Sequence, residues 1–140
     1  MISIKPYLNF PGDTEAAFKF YRSVFGGDFK ALQRFADLPG GDRIAEADQQ
    51  KIMHVSLPVG DTVLMATDSL ASMGQALTAG NNFTLAVFTE SEKDADRIFT
   101  ALAQGGEISM AMNKAFWGAY VGMLTDKFSI QWMISYDPGK

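Results

Sequence analysis

This chain of 140 residues has no cysteine, one histidine and five prolines. The first absence excludes disulfides, thiolate metal sites and a cysteine nucleophile together, and it favours a cytoplasmic setting. A single histidine, His54, excludes a histidine-rich metal cluster. Basic residues are outnumbered, 12 Lys and Arg against 16 Asp and Glu, and the net charge of −4 is interspersed along the chain. With no basic stripe to neutralise a phosphate backbone, nucleic acid is not an expected partner. No run approaches the roughly 20 apolar residues of a membrane span, and "MISIKPYLNF" lacks the apolar stretch of a signal peptide, so the expectation is a cytoplasmic protein without a membrane partner.

Apolar residues make up 47% of the chain, enough for one compact domain to bury a real core. The pattern repeats. In the first half "IKPYLNF" alternates like a strand, and "PGDTEAAFKFYRSVFGG" reads as a helix with Asp13 or Thr14 as its cap and Gly26-Gly27 as its stop. A strand near Phe29 to Phe35 follows, then a polar loop, then the hairpin "KIMHVSLPVGDTVLMATD" turning at Gly60-Asp61. After "SLASMGQALTAGN", the second half opens with the strand "NFTLAVFT" and the helix "SEKDADRIFTALAQGG", capped by Ser91 with Asp94 placed to answer it. "EISMAM", "WGAYVGML" and "FSIQWMIS" are its three remaining strands. This predicts an α+β fold of two βαβββ modules, residues 1–69 and 82–140 with a linker at about 70–81, forming a curved mixed sheet with helices on the outer face. One helix per four strands leaves the other face to line a cavity or meet a partner.

Strand parity nominates that face. Tyr7 and Asn9 lie opposite Leu8 and Phe10; Asn82 and Thr84 lie opposite Phe83, Leu85 and Val87; Gln131 and Met133 lie opposite Phe128, Ile130, Trp132 and Ile134. With Met65, these residues describe a neutral pocket, to which Trp117 and Tyr120, on the strand before the last, add aromatic walls. The plainer reading of the tryptophans is core or dimer contact, and of the eight methionines adaptable packing. His54 alternates with Ile52 and Ser56 on a partly polar face. It is the candidate general base or substrate donor, against the plainer reading of a strand histidine satisfied by backbone or water. Asp126 and Lys127 read as turn formers.

"PYLNFPGDTEAAFKFYRSVFG", "MHVSLPVGDTVLMATD" and "FWGAYVGMLTDKFSIQWMIS" resemble the vicinal oxygen chelate superfamily of glyoxalases, bleomycin resistance proteins and dioxygenases. The resemblance is to its PhnB-like branch, formerly labelled a demethylubiquinone methyltransferase domain. No glycine-rich strand-to-helix turn supports nucleotide-type cofactor chemistry. The resemblance implies a glyoxalase-like fold and a divalent metal held by His, Glu or Gln. Its ligand places fall at Tyr7 (or Pro6), Met65 or Thr67, Asn82 and Met133, none of which suits the usual ion, so no metal site or cofactor is expected; Gln131 remains a weak candidate ligand. The expected function is therefore metal-independent binding of a small, partly apolar molecule. The alternatives are a lyase, isomerase or oxygenase acting on a small oxygen-rich metabolite, with an atypical divalent metal or His54 as base, and a purely structural dimer. Relatives commonly pair, so a homodimer is expected.

Overall fold

The computed structural model describes residues 2–139, which form two compact units, one up to Thr78 and the other from Ala79. Each unit is a four-stranded mixed sheet with one helix. The strand order is the same in both, which agrees with the duplicated order in the sequence.

In the first unit β1 (Tyr7–Phe10), α1 (Thr14–Phe25), β2 (Ala31–Arg34), β3 (Ile52–Val59) and β4 (Thr62–Asp68) give the sheet β1-β4-β3-β2. β1 is shorter than the alternation suggested. Pro6 has no N–H to donate, so regular pairing begins after it, although its carbonyl still accepts from Met65. β1 runs parallel to β4 with Tyr7 beside Met65, while β3 runs antiparallel to both β4 and β2. Leu8, Phe10, Val55, Leu57, Leu64 and Ala66 form one face of this sheet and are buried, as are Ala17, Phe18, Tyr21 and Val24 of the overlying helix. Phe18 sets its ring edge-on to Phe10 and Tyr21, at 6.4 and 5.5 Å between centroids.

The cap of α1 differs from the expectation. Neither Asp13 nor Thr14 caps it locally; Asp68, at the far end of β4, accepts from the Thr14 amide (2.9 Å), the Thr14 hydroxyl (2.6 Å) and the Ile52 amide (2.8 Å). A buried carboxylate therefore satisfies the first amide of a helix start 54 residues away in sequence, which no local pattern announces. The polar loop is three short 3-10 turns, at Phe35–Asp37, Gly41–Arg43 and Glu46–Asp48. Arg34 spans its base, donating to both carboxylate oxygens of Glu15 at 2.9 and 2.8 Å. The first part of the expected linker is fastened down: Leu70 is buried, its amide donates to Gln75, and the Ser72 hydroxyl donates to Asp48.

The second unit comprises β5 (Leu85–Thr89), α2 (Glu92–Ala103), β6 (Glu107–Lys114), β7 (Tyr120–Thr125) and β8 (Gln131–Tyr136), in the order β5-β8-β7-β6. Ser91 caps α2 as expected, its hydroxyl accepting from the Asp94 amide at 3.0 Å. Ala95, Ile98, Phe99 and Leu102 bury the inner stripe of α2 against the face carrying Leu124, Trp132 and Ile134. Gly122 lies directly under Phe99, where a Cβ would stand 2.7 Å from Cε1 of that ring. Among the described residues no helix is long and apolar enough to cross a membrane.

Candidate functional site

On the helix-free face of the first sheet, pairing aligns Tyr7, Met65, Ser56 and Ala31 in one row. A second row holds Asn9 beside Thr67 and His54 beside Gln33. Parity puts both rows on one side, and the Tyr7 and His54 rings meet at 6.0 Å between centroids, 31° apart. The structure thus brings together Tyr7, Asn9, His54 and Met65, nominated separately from sequence. Tyr7 is 47% exposed and His54 half-buried. The surface offers a phenol, two amides, two hydroxyls, a thioether and one imidazole, and no carboxylate among these eight side chains.

On the helix-free face of the second sheet, Gln131 pairs with Thr125, and Met133 pairs with Met123 on one side and Ala86 on the other. A shallow, open depression of about 380 Å³ is lined by Ala79, Gly80, Asn81, Thr125, Ser129 and Gln131. Gln131 donates from Nε2 to the Phe83 carbonyl at 2.5 Å, so its amide is oriented rather than loose. The loop beneath it is organised by Asp126, which is 3% exposed. One carboxylate oxygen accepts from the Phe128 and Ile130 amides at 2.8 and 3.1 Å, and the other from the indole of Trp132 at 2.8 Å. Asp126 does form a turn, but it also pins the core tryptophan. An aspartate two residues before an amide it caps was a local signal for the first part; nothing in the sequence signalled the second.

Four expectations are corrected. β8 begins at Gln131 rather than at Phe128, because Ser129 takes a left-handed conformation (φ 73°) and its two neighbours donate to Asp126. Ser129 reaches the depression through that turn, not through strand parity. Asn82 lies outside β5, which starts at Leu85; Ala86 is the partner of Met133, four residues further on, or up to about 13 Å of extended chain. Trp117 is not on β7: it sits in the turn that joins β6 to β7, where Gly118 has φ 100°, and is 64% exposed with its ring edge-on to Phe116. Tyr120 is on β7 but on the wrong face. It pairs with Tyr136, and its hydroxyl donates to Asp96 of α2 at 2.6 Å. That hydrogen bond, followed by desolvation, holds the phenol proton above its ordinary range.

The match to known proteins now has a geometry behind it. A sequence profile of the Glyoxalase/Bleomycin resistance protein/Dioxygenase superfamily matches residues 3–134. The chain belongs to this superfamily. Protein YjdN of Escherichia coli (strain K12) is 28% identical over 140 residues, which cover 94% of this chain and 93% of that one. The crystal structure of PA1353 from Pseudomonas aeruginosa superposes with a TM-score of 0.88 at 34% identity, over 98% of both chains. The PhnB protein of Bacillus cereus has the same fold, with a TM-score of 0.77 at 24% identity over 96% of this chain and 99% of that one. Within the superfamily fold, the first-unit ligand places implied by the resemblance, Tyr7 (or Pro6) and Met65 or Thr67, lie along the paired strands β1 and β4, with Tyr7 directly beside Met65. Both are poor donors for a hard divalent ion. Among the described residues no group of three or more His, Cys, Asp or Glu side chains is placed to hold a metal.

Proposed function

We propose that this superfamily member is a cytoplasmic, homodimeric binding protein for a small, neutral, partly apolar molecule, held against the helix-free sheet faces by stacking and neutral hydrogen bonds. The observation that carries this reading is the chemistry of the first-unit face: Tyr7 and His54 in ring contact, flanked by Asn9, Thr67 and Met65. Aromatic and thioether groups suit an apolar or planar ligand, and the amide and hydroxyl groups orient it without charge. Gln131 over the second-unit depression supplies the same kind of fixed neutral amide. Exposed Phe88 (71%) and Trp117 (64%) support self-association, to be checked by light scattering at micromolar concentration.

The test is titration with N-phenyl-1-naphthylamine, a neutral aromatic fluorophore. Saturable binding that weakens at least fivefold in Tyr7→Ala is the expected outcome. Absence of saturable binding, or indifference to both Tyr7→Ala and Gln131→Leu, would overturn the reading. One observation favours a second reading, an enzyme with His54 as base: the lone imidazole lies against Tyr7 on that same face. Tight one-to-one binding of nickel, zinc or manganese to chelator-treated protein, lost in His54→Ala and Gln131→Ala, would favour the enzyme.

A further inference from the structure

Three methionines from three adjacent strands stand in one row of the second sheet. Met110 of β6 pairs directly with Met123 of β7, and Met123 with Met133 of β8. Residues paired in this way project to the same side of a sheet, with neighbouring Cβ atoms about 5 Å apart and the outer two about 10 Å apart. The sulfur of methionine lies two bonds beyond Cβ on a flexible, unbranched stem, so the outer side chains can fold inward over the central one. A single point above Met123 is then within reach of all three sulfurs.

Packing alone does not account for this placement. The row is on the helix-free face, Met110 is 36% exposed, and Met123 and Met133 are only half-buried. Met112, by contrast, lies against Gly122 on the other side and takes no part. Thioethers are neutral, polarisable donors that bind hard divalent cations poorly and soft monovalent ones well. The next row of the same face is Gln131, Thr125 and the exposed Glu107, so a negative charge lies about 7 Å from the row.

We propose that Met110, Met123 and Met133 form a binding site for a soft monovalent cation of the Cu(I) class. The ion is held by three neutral sulfurs, and binding changes no oxidation state. The assignment goes beyond the small-molecule reading and does not rest on it, because Tyr7 and Gln131, which test that reading, lie outside the row.

Silver(I), added as nitrate in chloride-free buffer, is the probe, followed by calorimetry and native mass spectrometry. One saturable equivalent is expected on the unmodified chain. Met123→Leu should weaken it at least tenfold, as should Met110→Leu, while Met73→Leu, at an exposed position outside the row, should leave it unchanged. Leucine keeps the volume, and an unchanged near-ultraviolet circular dichroism spectrum verifies the fold of each variant. Failure of the unmodified protein to bind one equivalent would overturn the proposal without any variant. So would a site that survives replacement of all three methionines, or one lost in His54→Gln but kept in Met123→Leu, which would place the ion on the imidazole.

Discussion

Replacing Asp126 with alanine removes one carboxylate and orphans three donors at once: the amides of Phe128 and Ile130 and the indole of Trp132. Hydrogen bonds to a charged acceptor contribute roughly 1.5–3 kcal/mol each, and they share one acceptor, so their losses do not sum. The two loop amides are part-buried and can recruit water. Trp132 is 2% exposed, so an indole N–H that loses this acceptor is shut off from bulk solvent. The expected loss is therefore about 3–4 kcal/mol, most of it from the unpaired indole, or a fall of about 10–14 °C in Tm for a domain of this size. Asp126→Asn keeps one oxygen but sets an amide N–H against either the indole or the loop, and should lose about 2 kcal/mol. The assay is urea unfolding followed by tryptophan emission in a Trp117→Phe background, where Trp132 is the sole tryptophan. In that background Asp126→Ala should also shift native emission to longer wavelength. A double-mutant cycle with Trp132→Phe, followed by far-ultraviolet circular dichroism because those variants keep no tryptophan, should return part of the loss, since removing the indole removes the orphaned donor. If Asp126→Ala falls within about 1 kcal/mol of its parent, or the emission does not move, the carboxylate is not the keystone of this loop and the account fails.

Three further outcomes follow from packing and charge. The Arg34 guanidinium, with Lys19 a smaller influence, holds the Glu15 carboxyl at about 2, down from its ordinary 4.5. Its stabilising contribution should thus be complete above about pH 4.5 and disappear as pH falls toward 2. Since the Glu15 side chain is 33% exposed, solvent screening limits the contribution to about 1 kcal/mol; Glu15→Gln should flatten that part of the acid limb, and an unchanged slope would refute the pairing. Gly122→Ala should cost about 2 kcal/mol by urea midpoint, because its methyl would meet the Phe99 ring and the Met112 sulfur at 2.7 and 2.6 Å; a stabilised variant would show that the helix sits higher than described. Tyr120→Phe should leave fluorophore affinity within twofold of the parent, since its hydroxyl serves α2, and a fivefold loss would return it to the binding face.

The regular elements were legible because local signals agreed with the tertiary outcome. Ser91 and the apolar stripe of α2 specified that helix, and alternation around Gly60-Asp61 specified the β3–β4 hairpin. Where reading failed, a residue's partner was remote or a turn mimicked a strand. "FWG" carries strand-forming aromatics and yet is a turn, because Gly118 takes a positive φ. "FSI" keeps perfect alternation, but a carboxylate held by Trp132 bends it out of the sheet. Tyr120 fails for a related reason: on any one strand Trp117 and Tyr120 point to opposite faces, and with Trp117 in the turn it is the helix-covered face that Tyr120 joins. The first-unit face was readable since the period of two holds from Tyr7 to Asn9, from Met65 to Thr67 and from His54 to Ser56, and the irregularity beside Gln33 falls just outside that stretch of β3. The methionine row needed cross-strand register, which passes through two irregularities in β6 and is invisible in one dimension.

In the first unit the strand made earliest is hydrogen-bonded to the strand made last, and the start of α1 is sealed by Asp68, the final residue of that last strand. Folding of this unit therefore waits on its last strand: until β4 and Asp68 have emerged, β1 lacks the strand it pairs with and the Thr14 amide lacks its acceptor. Once Asp68 has emerged, closure of the longest loop in the unit and completion of its helix become a single event. Chain length at release, rather than local helix strength, then sets when folding begins, and nascent chains arrested with Asp68 still inside the ribosome should remain protease-sensitive where those long enough to have extruded it do not.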